Sequence, residues 1–189
     1  MLRRRFVFIL VLALMLPGFA LAEGAYYGSH PADDIYVTQT TKHTCTLIAA
    51  TMMLRNFSSR QGSPYIQVTE SGVRKYAWLD GRGLRQSFTI GQVTVNCSAD
   101  IKHCGDKKAY LIEALQAHPE GVVIYDTGAP HAIWLFGYDE DADIFYCADT
   151  IQSRGGCAIP LVESIIKGKT QEEKVNTIDK IWYVEPLDA

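Results

Sequence analysis

The chain has 189 residues, is 48% hydrophobic and 21% charged, and carries a formal net charge of −3. This length and apolar content suffice for one domain with a sizeable core and exclude wholesale disorder. With 15 glycines and 7 prolines it is neither collagen-like nor of low complexity, and its 5 cysteines are an odd number.

Arg3, Arg4 and Arg5 precede an apolar run from Phe6 to Leu16, which Pro17-Gly18 breaks before Ala20-Leu21-Ala22. Charged, then apolar, then small residues at a cleavage site predict a secretory signal peptide over residues 1–22, cut after Ala22. The apolar run is shorter than the roughly 20 residues of a membrane-spanning helix, so cleavage is preferred over an uncleaved anchor. Removing the three arginines leaves 15 basic residues against 21 acidic, a net charge of −6. Such a domain has no overall attraction to nucleic acid. The expected location is secreted or extracytoplasmic, with no membrane association after cleavage, in a compartment that permits disulfides.

Residues 23–34 read as a flexible polar lead-in, and residues 35–189 as one domain. Ile35-Tyr36-Val37 is a short extended piece, followed by a loop from Gln39 to Thr44. From Cys45 the pattern becomes helical, with Leu47, Ile48, Thr51, Met52 and Leu54 on one broad face and Thr44 as the N-cap. A second helix is predicted over Val68–Trp78, an irregular stretch with one strand at Gln92–Val95 over Ser87–Cys104, and a third helix over Lys107–Ala117. Strand-like runs follow at Val122–Tyr125, His131–Tyr138, Ile144–Ala148 and Ile181–Glu185, with a short helix at Leu161–Ile166 and a solvated stretch at Thr170–Thr177. Helices first and hairpin strands later predict an α+β fold, with N-terminal helices packed on a C-terminal antiparallel sheet.

Cys45 stands where a loop meets the first turn of a helix, and unpaired N–H groups there stabilise a thiolate, the nucleophilic form of cysteine. Gln39, six residues upstream, can bring its side-chain amide beside the sulfur and form an oxyanion hole with the Cys45 N–H. His131 opens a strand, HAIWLFGY, that is apolar on both faces and therefore central. Asp149 ends the next strand, and a hairpin turning near Asp139 returns it towards His131, where a carboxylate fixes the imidazole.

The segments QTTKHTCTLIAATMMLR and HAIWLFGYDEDADIFYCADT, in that order, resemble the papain-like fold and, more narrowly, the C39-like peptidases, relatives of the bacteriocin-leader peptidases. The resemblance implies that Gln39 is the oxyanion residue, Cys45 the nucleophile, His131 the general base and acid, and Asp149 its orienter. It also implies a peptide or protein substrate and no cofactor. Two positions depart from the family pattern: Thr46 follows the cysteine where glycine is common, and Thr150 follows the aspartate where proline is usual. Two alternatives stand beside a secreted cysteine peptidase: a catalytically silent domain that binds peptides or a partner, and a cell-wall peptide hydrolase.

The other four cysteines allow three pairings, and proximity favours Cys97 with Cys104 and Cys147 with Cys157, leaving Cys45 as the thiol. A zinc site from Cys97, His103 and Cys104 lacks a C-x-x-C pair and is not expected. The Asp139–Asp143 acidic cluster is expected to be a solvated turn rather than a calcium site. His43 is expected at the surface, and His30, His103 and His118 in solvent.

Overall fold

A computed structural model describes residues 24–80, 82–151 and 157–186. The expected signal peptide lies outside the described residues. In chain order the elements are β1 (Tyr26–Gly28), α1 (Cys45–Arg60), α2 (Glu70–Ala77), β2 (Trp78–Leu79), β3 (Gly83–Leu84), β4 (Ser87–Ile90) and β5 (Val93–Ser98). Then come α3 (Lys107–Ala117), β6 (Val122–Asp126), β7 (His131–Asp139), β8 (Ile144–Asp149), β9 (Ile159–Pro160), α4 (Gln171–Thr177) and β10 (Lys180–Pro186). Over the described residues the fold is α+β, with four α-helices and an antiparallel sheet. No described helix is long and apolar enough to cross a membrane.

The main sheet runs β4-β5-β10-β6-β7-β8-β9, and β1 pairs with the far end of β7. Alternation along each strand divides the side chains between two cores. Trp134, Ala132 and Phe136 of β7 face the first core with α1 and α2, whereas Ile133 and Leu135 face the second with residues of α3 and α4. A register shift between Leu135 and Gly137 lets Tyr138 join the second core instead of continuing the Trp134 face. Helices therefore cover both faces, not one.

α1 is buried on nearly every side over its first three turns. Leu47, Ile48, Ala49, Ala50, Met52 and Met53 are all fully buried, so the helix is encased rather than amphipathic as expected. Small Ala49 and Ala50 allow that close approach. Thr51 tolerates the interior because its hydroxyl donates to the Leu47 carbonyl at 2.8 Å.

Several expected elements differ. The lead-in supplies β1, where Gly28 adopts a φ of 100° against the Phe136 carbonyl, a position a Cβ could not share. Of the expected extended piece, Ile35 closes a 3-10 turn over Asp33–Ile35, and Tyr36 is extended. The stretch read as irregular contains the β4–β5 hairpin, turning at Gly91. Thr170–Thr177 is helical: Thr170 caps α4 by accepting from the Glu173 N–H, and Lys174 is buried, donating to the Ser164 carbonyl at 2.8 Å and to that of Ile166. His118 is half-buried against the Tyr183 ring.

Neither expected disulfide is formed. Cys97 packs against the first core from β5, whereas Cys104 follows the 3-10 turn that buries Ile101 in the second, and both thiols are free. Their sulfurs instead face nearby carbonyls, of Ser98 at 3.9 Å and of Asp106 at 3.2 Å. Cys147 is turned by the β8 pleat into the second core, while Cys157 is exposed, and no bridge joins them. The acidic turn is tied down by the chain itself: Asp141 accepts from the Gly24 N–H, Asp139 from the Ala142 N–H, and Asp143 meets Lys108.

Candidate active site

Cys45 is the first residue of α1. Thr44 occupies the N-cap position but does not cap: its hydroxyl donates backwards to the Thr41 carbonyl at 2.8 Å. The N–H groups of the first turn are thus left to other acceptors, and the Thr46 N–H is one of two backbone donors that bear on the Cys45 sulfur, the other being that of Ala132. His43 holds a φ of 65°, uncommon for a residue with a Cβ, and this turns the chain sharply into the helix.

His131 arrives from the opposite side at the start of β7. Asp126, at the end of β6 and its cross-strand partner, accepts from the Gly128 and Ala129 N–H groups at 2.8 and 3.2 Å. That turn shapes the loop that delivers Pro130 and His131. The His131 Nε2 lies 2.9 Å from Asp149 Oδ1, and His131 also hydrogen-bonds Cys45. With Nε2 taken by the carboxylate, Nδ1 is the nitrogen left for the sulfur. Asp149 is fully buried, and its other oxygen accepts from the Ile165 N–H at 2.9 Å. The carboxylate is therefore held on both sides and cannot swing away from the ring.

The electrostatics follow from these contacts. Burial alone would push the Cys45 thiol up, but the hydrogen bond and charge of His131, with the Ala132 and Thr46 N–H groups, bring it below its ordinary value. Burial would lower the His131 imidazole, yet the hydrogen bonds to Asp149 and Cys45 raise it to about 9. Asp149 is pushed up by burial and pulled further down by His131 and by the Ile165 and Ile151 N–H groups. Each member of the Cys45–His131 pair thus favours the charged form of the other. Cys97, without such a partner, is driven by burial to about 11, and fully buried Cys147 also rises well above the ordinary range. It is this contrast that distinguishes Cys45, not the disulfide arithmetic of the sequence.

Gln39 stands at the same cleft. Its Nε2 donates to the Thr41 carbonyl at 2.7 Å, and its Oε1 accepts from the Thr150 hydroxyl at 3.2 Å. The Gln39 N–H donates to the Thr150 carbonyl at 2.7 Å. Thr150 therefore orients the amide with the NH₂ end away from the strand, and the second hydrogen of Nε2 remains available. Sequence reading noted Thr150 only as a departure from a pattern; its hydroxyl is the signal that was missed, because proline offers no such donor. Ile165 was also missed: a backbone N–H carries no signature in sequence.

Cys45 sits between two cavities. One, of about 530 Å³, is lined by Gln39, Thr41, Pro130, His131 and Ile165 among others. The other, of about 650 Å³, is lined by Arg82, Arg85, Cys97, Tyr125, Lys180 and Trp182 among others. Both include His43 and Cys45, so the two cavities meet at the sulfur. A larger cavity near Phe57 and Ile90 lies away from this chemistry. Expected His43 is indeed exposed, at the cleft mouth. No cluster able to hold a metal ion occurs among the described residues.

No protein-family model, curated protein or solved structure matches the chain.

Proposed function

We propose that the protein is a secreted cysteine peptidase of the papain-like kind, hydrolysing peptide bonds through Cys45, His131 and Asp149. The observation that carries the reading is the buried relay: Asp149 to His131 Nε2 at 2.9 Å, with Cys45 on the other side of the ring and its thiol held below the ordinary range. In this reading the Cys45 thiolate attacks the carbonyl carbon, and the carbonyl oxygen becomes an oxyanion facing the Cys45 N–H and the Gln39 amide. His131 as imidazolium gives its proton to the leaving amine. It then takes one from water, which attacks the thioester and restores the thiolate.

The Gln39 Nε2 bond to the Thr41 carbonyl, together with Thr46 after the nucleophile, supports a second reading, a silent peptide-binding domain. Both are tested by timed iodoacetamide labelling of the mature protein, with each cysteine quantified by mass spectrometry, and by turnover of a mixed peptide pool. The peptidase reading requires Cys45 to label at neutral pH at least roughly tenfold faster than an ordinary thiol, and cleavage that disappears in Cys45→Ala. Peptide capture without cleavage, unchanged in that variant, supports the silent domain. A Cys45 that labels no faster than a free thiol sinks the enzymatic reading.

A further inference from the structure

The two cavities beside Cys45 differ in charge. The one away from Gln39 is lined by Arg82, Arg85 and Lys180, and no carboxylate among the described residues lines it. This concentration of cations occurs on a chain whose net charge is −3. Neither arginine takes part in an ion pair among the described residues. Lys180 lies 5.9 Å from the centre of the Tyr125 ring, which is part of the same wall. Asp179 acts on Cys97 and Tyr125, but it is not part of the lining. Three cations converging on a cavity that borders a nucleophile form an attractive field for an anionic group.

Chemistry assigns the cavity to one side of the substrate. His131 must reach the leaving nitrogen to protonate it, and His131 lines the Gln39 cavity only. The amine product therefore leaves through the Gln39 side, and the acyl half of the substrate lies on the arginine side.

Resting on the peptidase reading, we infer that the Arg82–Arg85–Lys180 cavity is an acyl-side specificity subsite that takes an acidic side chain, Asp or Glu, N-terminal to the bond attacked. The flat guanidinium forks hold a carboxylate with paired hydrogen bonds, and Lys180 supplies a point charge deeper along the wall.

The test uses two alkylating agents of similar size. The thiolate displaces iodide from either iodoacetate or iodoacetamide, but only the first carries a carboxylate. In Arg82→Glu/Arg85→Glu the ratio of iodoacetate to iodoacetamide rates at Cys45 falls roughly tenfold relative to the unaltered protein. His131 is present in both proteins, so its charge cancels from the comparison. The double variant keeps its backbone bonds, since Arg85 uses its N–H to Ala77 and its carbonyl to the Trp182 indole, neither of which depends on the side chain. Arg82→Gln/Arg85→Gln gives an intermediate ratio. Matched peptides differing only in Glu, Gln or Lys on the acyl side are cleaved in that order, and the charge-reversed variant inverts the preference. Fast iodoacetamide labelling with an unchanged ratio and equal cleavage of the three peptides overturns the subsite while leaving the nucleophile. Slow labelling by both agents overturns the nucleophile and the subsite with it.

Discussion

The two ends of α1 each hold a buried carboxyl group, and the two behave oppositely. At the N-terminal end, Asp149 is fully buried and still more acidic than usual, because His131 and two backbone N–H groups compensate its charge. At the C-terminal end, Asn56 donates to the Glu120 carbonyl at 3.0 Å and to Ser29, and the Trp134 indole donates to the same carbonyl at 3.1 Å. The Glu120 carboxyl itself is left with little. Burial raises it to about 7, against a weak pull from its own N–H and from Arg60. His118 lies 3.8 Å away, but burial pushes that imidazole towards its neutral form, so it supplies little charge. Depth of burial is similar at the two ends. The difference is a partner, and with it the same desolvation that weakens one acid serves to exclude water around the other.

The largest expected effect comes from removing the partner altogether. In His131→Ala the Cys45 thiolate loses the group that offsets its burial, and iodoacetamide labelling at pH 7 falls by about 10²-fold or more. Unchanged labelling would show that the N-terminal end is no different in kind from the Glu120 end.

Asp149→Asn sharpens the comparison by keeping the shape and removing the charge. The His131 imidazole, now at about 9, drops; the alkaline limb of turnover against pH moves down by about 1–2 pH units, and kcat falls by about 10²-fold. The limb belongs to the coupled Cys45–His131 pair, and titrating it in both proteins checks the shift. The sign on stability also follows. A histidine raised on folding stabilises fully below its ordinary pKa, and that contribution is lost as pH rises through about 9. In Asp149→Asn that loss is complete at lower pH, which urea unfolding between pH 6 and 10 reads directly.

Glu120 gives the opposite sign. A carboxyl raised on folding costs nothing when both states are protonated, and destabilises as pH rises from its ordinary value through about 7. Glu120→Gln is therefore expected to stabilise by about 1–3 kcal/mol at pH 8 and by almost nothing at pH 4. Equal unfolding midpoints at pH 8 would break the comparison from this side.

The smallest effect is expected from Thr150→Val, which removes the donor to Gln39 Oε1. Loss of one partly exposed hydrogen bond lowers kcat by roughly threefold to tenfold with iodoacetamide labelling unchanged, since the thiolate does not depend on Gln39.

The residues that were legible in the sequence share a feature: each stands where a periodic element begins or ends. Cys45 starts α1, His131 starts β7 and Asp149 ends β8, so apolar patterning places them at one rim. What was not legible depends on contacts across the fold. The Cys97–Cys104 spacing is short along the chain, but Cys97 belongs to β5 and Cys104 follows a 3-10 turn, and both thiols stay free. α4 carries little apolar signal, because of its two buried residues only Val175 is apolar; the other, Lys174, satisfies the Ser164 and Ile166 carbonyls. That bond also steadies the segment whose Ile165 N–H holds Asp149, a link no local pattern announces. Of the β4–β5 hairpin only Gln92–Val95 reads as a strand, because Thr and Ser on its outer face dilute the alternation of Phe88, Val93 and Val95. The cationic cavity draws on Arg82 and Arg85 beside β3 and on Lys180, about a hundred residues later in sequence, and the two stretches are joined where the Trp182 indole donates to the Arg85 carbonyl.

The placement of β10 has a consequence for how the molecule is made. β10 lies between β5 and β6, and without it the sheet is two separate pieces, β4–β5 on one side and β6 to β9 on the other. It also brings Lys180 and Trp182 to the cleft. As the chain is synthesised, Cys45, His131 and Asp149 have all appeared before the strand that joins the halves. Pairings of such long sequence separation form late. The cleft wall is then completed only when residues 180–186 dock, so a partly made chain carries Cys45, His131 and Asp149 before Lys180 and Trp182 close the cavity beside them.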